Sequence, residues 1–158
     1  MVISVHDTAP EIALFDSDMK SVKLSDFAGS KNVLILFFPM AFTGVCTTEL
    51  CGIRDDISRY SKVNAQVLAI SVDSVFTLAK FKELQGYNFP MLSDFNKVAS
   101  TDYGCLYDSF TGMGMVGVSK RSAFVIDKAG TVQYAEVLES PGDEPNFDAI
   151  NEVIASLA

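Results

Sequence analysis

Cys46 stands in the run Pro39-Met40-Ala41-Phe42-Thr43-Gly44-Val45-Cys46-Thr47-Thr48-Glu49-Leu50-Cys51, directly after the apolar stretch Val33-Leu34-Ile35-Leu36-Phe37-Phe38. The apolar stretch reads as a fully buried strand. Beyond Pro39 and Gly44, the positions Cys46, Leu50, Ile53, Ile57 and Tyr60 fall on one helical stripe. The cysteine therefore lies in the first turn of a helix that begins just past a strand end. Unpaired N–H groups and the positive dipole end stabilise an anion at that position. Cysteine acidity rises at helix N-termini, so the spacing favours thiolate chemistry at Cys46. The competing reading is an inert buried thiol on a core stripe, a common fate of free cysteine.

Activation by an imidazole is disfavoured. The single histidine, His6, is remote in sequence from every motif and reads as a surface or strand residue. A Cys–His pair or Ser–His–Asp triad has no other histidine to draw on, and Cys46 and Cys51 alone are too few for a zinc site. Any cysteine chemistry must then be supported by the helix terminus and by arginine. Arg121, one of three arginines with Arg54 and Arg59, opens a core strand, an odd place for a mere surface charge. Glu49, three residues after Cys46, is placed for a capping box or for holding an arginine, two compatible roles. Thr43 suits an N-cap or turn hydroxyl, and Pro39 suits a strand end.

Pro39, Thr43, Cys46 and Glu49 together meet the pattern Pro-x-x-x-Thr-x-x-Cys-x-x-Glu, which resembles the active-site signature of the peroxiredoxins. The resemblance covers most of the chain. Ala9-Pro10, Leu14 and Leu24-Ser25-Asp26-Phe27 match the family's N-terminal hairpin, and Val67-Leu68-Ala69-Ile70-Ser71-Val72-Asp73 its next central strand. Phe89-Pro90-Met91-Leu92-Ser93-Asp94, Tyr103-Gly104 and Arg121-Ser122-Ala123-Phe124-Val125-Ile126-Asp127 follow in the family's order. Within the family the chain is most similar to the bacterioferritin comigratory protein, or Q, type, with the alkyl hydroperoxide reductase E type close behind.

The resemblance implies a thiol-dependent peroxidase that reduces hydrogen peroxide and organic hydroperoxides through a Cys46 thiolate and its sulfenic acid. It implies that Arg121 contacts both thiolate and peroxide, that the Thr43 hydroxyl bridges thiolate and substrate oxygen, and that Pro39 shields the thiolate from water. It also implies no cofactor and no metal, a thioredoxin-like or other dithiol reductant, and a monomer or homodimer. Cys51 stands where Q-type members often carry a resolving cysteine, while members without it use an external thiol; a buried helical cysteine is the other reading. In an intact helix residues five apart have Cα atoms roughly 8.6 Å apart, beyond the ~7 Å limit of a disulfide. Resolution by Cys51 would therefore require the helix to unwind. Cys105 reads as structural. The alternative to an enzyme is a thioredoxin-fold peroxide sensor or thiol–disulfide relay that passes oxidation to a client protein. A Cys-x-x-Cys exchanger is disfavoured by the four-residue gap between Cys46 and Cys51, and a copper carrier of this fold would want a downstream histidine.

The whole chain bounds these readings. Its 158 residues, 49% hydrophobic and 20% charged, suit one domain over residues 1–158 with a sizeable core. The formal charge of -8 and the lack of a Lys/Arg cluster argue against nucleic acid or an anionic membrane as partner. The longest apolar run is too short to span a bilayer. Without a charged, apolar leader at Met1–Asp7, the expected location is cytoplasmic. Three cysteines, an odd number, speak against a secreted disulfide scaffold. Twelve Phe and five Tyr predict an aromatic core, with an apolar surface patch left for a partner.

The positioning elements follow from periodicity. A hairpin joins Ile12–Phe15 to Val22–Leu24, then come the strand Val33–Phe38 and the cysteine helix to about Tyr60. A second buried strand spans Gln66–Asp73. Ser74 caps a helix to about Gln85 with Phe76, Leu78, Phe81 and Leu84 as its apolar positions. A short strand at Met91-Leu92, a helix over Lys97–Tyr103 and a mobile Gly112–Gly117 connection precede the hairpin Ser122–Asp127/Thr131–Leu138. Asn146–Leu157 is the closing helix. This order is α/β with a mixed central sheet flanked by helices, which resembles the thioredoxin-like fold with an N-terminal β-hairpin extension.

Overall fold

The computed structural model describes residues 2–158. Seven strands form one mixed sheet: β1 (Ala13–Asp16), β2 (Ser21–Lys23), β3 (Asn32–Phe37), β4 (Ala65–Ser71), β5 (Met91–Ser93), β6 (Ser122–Ile126) and β7 (Val132–Val137), in the spatial order β2-β1-β5-β4-β3-β6-β7. β3 is an interior strand, parallel to β4 and antiparallel to β6. All six of its residues are buried, the signature of a strand covered on both faces. Alternation then assigns its side chains. Leu34 and Leu36 face α1 (Gly44–Asp55), α2 (Ile57–Lys62), α3 (Val75–Gln85) and α5 (Phe147–Leu157), whose buried residues include Leu50, Tyr60, Phe81 and Ile154. Val33, Ile35 and Phe37 face the other layer, built from Ile3, Ile12, the 3₁₀ turn Leu24–Phe27, and α4 (Val98–Asp102) with Tyr103.

One register decides where the site lies. Phe37 pairs with Ser122 across the antiparallel β3–β6 ladder. The start of β6 is thereby held beside the end of β3, so Arg121 is delivered to the point where the chain leaves the sheet for the cysteine helix. Phe38 makes the last β3-side bond, its N–H donating to Ile70 O at 2.9 Å. Pro39 has no N–H to continue the ladder.

Two expectations are corrected. The cysteine helix does not run unbroken to Tyr60: Asp56, at φ -119° and ψ 25°, ends α1 and starts α2. Its N–H bonds Ile53 O, and its carboxylate takes the Arg59 guanidinium. Aspartate competes for such local bonds and is favoured at helix ends over interiors. In α3 only Leu78 and Phe81 are buried, while Phe76 and Leu84 are 69% and 60% exposed, so the stripe facing the sheet is narrower than the sequence suggests. Ser74 does cap α3, accepting from Thr77 N–H at 3.2 Å, and Asn146 caps α5, accepting from Ala149 N–H at 3.1 Å. The Gly112–Gly117 connection is spanned by antiparallel bridges Phe110–Met115 and Leu106–Ser119. The aromatic side chains mostly enter the core, and Phe15, Phe76, Phe95 and Val98 are left exposed along one groove. Among the described residues no helix is long and apolar enough to cross a membrane.

Candidate active site

α1 begins at Gly44 with Thr43 as its N-cap residue in extended conformation. The first intrahelical bond runs from Thr47 N–H to Thr43 O, so the amides of Gly44, Val45 and Cys46 precede it. These are the orphan donors of a helix start, and Cys46 in that turn is 1% exposed.

Arg121 closes the other side. Its Nη2 donates to Cys46 Sγ at 3.1 Å and to Pro141 O at 3.1 Å, while Nη1 donates to Glu49 Oε2 at 2.6 Å. Arg121 and Glu49 are both buried, at 1% and 2% exposure. The planar guanidinium can serve a carboxylate and a sulfur at once because its donors are fixed in a fork. Burial pushes the Glu49 carboxyl up to about 7, with the Arg121 charge pulling it back down and Glu144 adding to the rise. Arg121 is held further toward its charged form by Glu49 and Cys46, against the penalty of its own burial. Of the two readings of Glu49, the structure carries the arginine holder. The capping box fails because the helix starts at Gly44, which leaves Glu49 a full turn too deep to reach back to the N-cap amide.

Thr43 is at the N-cap, but its side chain makes no capping bond. Its Oγ1 instead donates to Met40 O at 2.8 Å, which leaves the oxygen's lone pairs free to accept. Pro39 is buried at the base of this loop. The loop itself is shaped by a residue that sequence reasoning missed. Asp73, just past β4, accepts from Ala41 N–H at 2.8 Å and from Ser71 Oγ at 2.6 Å. It lies in the matched Val67–Asp73 segment, but only the parallel β3–β4 pairing brings its carboxylate to the loop. Phe42 takes a left-handed φ of 66°, a strained setting for a bulky side chain, and its ring packs on Phe81 with centroids 4.9 Å apart. The Pro141 carbonyl on Arg121 is a second missed contact, with no signal in the sequence.

The structure thus brings Pro39, Thr43, Cys46, Glu49 and Arg121 to one place. Cys51 lies about one and a half turns further along α1, half-buried, with Sγ 3.6 Å from Gln85 Oε1 and 3.8 Å from Tyr87 Oη. All three cysteines are free thiols. Cys105 is fully buried and outside this cluster; burial pushes its thiol up to about 12, the condition of an unreactive sulfur. His6 is in an exposed N-terminal turn. Among the described residues no group of three or more His, Cys, Asp or Glu side chains could hold a metal ion.

Fold and site define a thioredoxin-like protein with an arginine-paired cysteine at a helix N-terminus. Residues 5–135 match the AhpC/TSA family. The chain is 34% identical over 158 residues to alkyl hydroperoxide reductase E of Mycobacterium bovis, covering 99% of each chain. It is 37% identical over 143 residues to the chloroplastic 2-Cys peroxiredoxin BAS1 of Spinacia oleracea, covering 84% of this chain and 52% of that one. The crystal structure of peroxidoxin BcpB from Mycobacterium tuberculosis superposes with a TM-score of 0.87 at 28% identity, covering 99% of both chains. The chain belongs to the AhpC/TSA family, the peroxiredoxins, which are thiol-dependent peroxidases.

Proposed function

We propose that this peroxiredoxin reduces hydrogen peroxide and small organic hydroperoxides with Cys46 as the attacking thiolate. The observation that carries the reading is the buried Arg121 guanidinium, donating to Cys46 Sγ at 3.1 Å while Glu49 holds it from behind. In the step, the Cys46 sulfur attacks one peroxide oxygen, the S–O bond forms and the O–O bond breaks. The displaced oxygen leaves as alkoxide or hydroxide and takes up a proton. Arg121 and the first-turn amides of α1 are the donors for charge developing on the displaced oxygen. Thr43 Oγ1, committed as a donor to Met40 O, accepts from the peroxide O–H and so orients it. Pro39, buried and without an N–H, keeps water from the sulfur.

Cys51 then resolves the sulfenic acid as a Cys46–Cys51 disulfide, which a thioredoxin-like or other dithiol reduces. Its five-residue spacing supports assignment to the bacterioferritin comigratory protein, or Q, type. The full-length match to alkyl hydroperoxide reductase E of Mycobacterium bovis supports that type as the second choice. The same reading takes residues 1–158 as a single peroxiredoxin domain acting in the cytoplasm as a monomer or homodimer.

The test is steady-state peroxide consumption with a general dithiol as reductant. Continuous turnover is expected, and Cys46→Ser abolishes it. Turnover that survives Cys46→Ser, or that a chelator removes, overturns the reading. A single stoichiometric oxidation without turnover would instead mark a sensor that passes oxidation to a client.

A further inference from the structure

Arg121 takes only one of the two oxygens of Glu49. Oε2 accepts from Arg121 Nη1, whereas Oε1, equally buried, has no hydrogen-bond partner among the described residues. A buried acceptor without a donor is costly, and more so when it is charged. Glu49 also lines a cavity of about 200 Å³ bounded by α1, α2, the loop before α5, and α5 itself. Glu144 in that loop and Asp56 at the α1–α2 junction bring the lining to three carboxylates, with no lysine or arginine among them. Asp56 is paired with Arg59, which does not line the cavity. Tyr60 Oη donates to Asn151 Oδ1 at 2.9 Å, so its lone pairs remain to accept. Ile53 and Phe147 make the wall between these points apolar. Gly52 leaves one side bare, with nothing within 4 Å of where its Cβ would stand.

Two features select the occupant. The orphan Oε1 calls for a donor, and a cationic one, since the Glu144 charge already works against ionised Glu49. The carboxylates are also too spread to meet around one ion, for no three of them form a metal-binding group among the described residues. A short aliphatic ammonium meets both conditions. It carries three N–H donors, its bond to a carboxylate is charge-assisted, and its methylenes suit the Ile53–Phe147 wall. One water takes about 30 Å³ of liquid volume, so the cavity has room for a ligand of several heavy atoms. We propose that this cavity binds a small aliphatic diamine, one ammonium donating to Glu49 Oε1 and the other held at the rim by Glu144 and Asp56. The site is distinct from the peroxide chemistry proposed for Cys46, which reaches Glu49 only through Arg121.

Binding requires an ionised Glu49. The groups that bear on this carboxyl are Arg121 with the Cys46 thiol behind it, Glu144 from the loop, and Asp56 with Arg59 at the helix junction. Tyr60, its phenol pushed up to about 12 by burial, stays neutral. Burial raises the Glu49 carboxyl to about 7, so below that pH the ligand must displace a proton. Affinity therefore rises about tenfold as pH climbs from 6 to 8 and levels off above. The amines of the ligand stay charged throughout this range, as lysine does.

The experiment titrates the full-length, reduced protein with putrescine in a calorimeter at pH 6 and pH 8 and constant ionic strength. One saturable site is expected, about tenfold tighter at pH 8. At pH 6 binding should release about one proton, read from the dependence of the heat on the ionisation enthalpy of the buffer. Gly52→Leu improves helix propensity and fills the bare side of the cavity, so binding should be lost. Glu144→Gln removes a rim charge without touching Arg121 and should weaken binding roughly two- to fivefold. Butylammonium, with a single charge, should bind the unchanged protein more weakly than putrescine but keep the same pH dependence. Thermal denaturation checks that both variants are folded. Heat that never saturates, or equal affinity in folded Gly52→Leu, overturns the proposal and leaves only general attraction of a polycation to a chain of net charge -8. Equal affinity at pH 6 and pH 8 overturns it by placing the ammonium away from Glu49. Displacement of putrescine by magnesium chloride at matched ionic strength overturns it in favour of a metal site.

Discussion

Arg121→Lys separates charge from geometry at the Cys46 thiol. Arg121→Ala is a poor probe, because it strands a buried carboxylate at Glu49, and uncompensated buried charges cost about 3–5 kcal/mol of stability. Lysine keeps the charge but offers one nitrogen in place of a fork. In the native site one nitrogen of Arg121 is 2.6 Å from Glu49 Oε2 and another 3.1 Å from Cys46 Sγ. A single ammonium drawn to the carboxylate moves away from the sulfur. At an effective dielectric of about 20, lengthening the separation of unit charges from about 3 Å to about 5 Å lowers their attraction from about 5 kcal/mol to about 3 kcal/mol. The donor to the departing peroxide oxygen is lost as well, and such donors are worth about 2.7–4 kcal/mol. These effects overlap, and together they predict a loss on the order of a hundredfold or more. The assay is the second-order rate constant for hydrogen peroxide under single-turnover conditions, read with thermal denaturation. The expected result is a slow peroxide step and a folded protein. A rate within about threefold of the unchanged protein would refute the role assigned to the fork. A hundredfold loss matched by unfolding would show that Arg121 supports only the fold.

Four further outcomes follow from the geometry. Burial raises the Glu49 carboxyl to about 7 from 4.5, so the folded state binds this proton more tightly than the unfolded one. The associated stability is fully present below pH 4.5 and is lost as pH rises through about 7, at no more than ~1.4 kcal/mol per pH unit. Urea midpoints should show this slope in the unchanged protein and lack it in Glu49→Gln; equal slopes in both would place the titration elsewhere. Cys51→Ser should leave the Cys46 sulfenic acid trappable by a dione reagent until dithiol is added, and an intramolecular disulfide in that variant would contradict resolution by Cys51. Cys105, buried with its thiol pushed up to about 12, should resist iodoacetamide in the native protein at pH 8; rapid labelling of Cys105 would show that the packing around it opens. Asp73→Ala frees the Ala41 amide and the Pro39–Thr43 loop, with an expected cost of about 1–3 kcal/mol in the peroxide step; an unchanged rate would show that the loop holds its shape without that carboxylate.

How much of this protein was legible in its sequence depends on the range over which each feature is decided. The strand before Pro39 and the Cys46–Leu50–Ile53 stripe could be read because alternation and helical periodicity are local, and burial of one face follows from them. The N-cap at Ser74 was legible for the same reason. Thr43 was legible as an N-cap or turn hydroxyl; a hydroxyl can bond backward as easily as forward, and here it holds the N-cap position while its Oγ1 takes Met40 O. The break at Asp56 escaped periodicity because Ile57 and Tyr60 continue the apolar stripe across it, while the break is set by one aspartate's local bonds. Glu49 was ambiguous in sequence, since a carboxylate at that spacing suits a cap or an arginine. Only the antiparallel β3–β6 register, which seats Ser122 against Phe37, brings Arg121 across 72 positions to choose between them. The Asp73 carboxylate on the Ala41 amide and the Pro141 carbonyl on Arg121 have no local signature. Each joins groups far apart along the chain, so their meeting is settled by how the layers pack. Residue type and spacing determined that a thiol would stand at a helix start; tertiary packing decided which groups surround it, because hydrogen bonds between distant segments exist only once the sheet has brought those segments together.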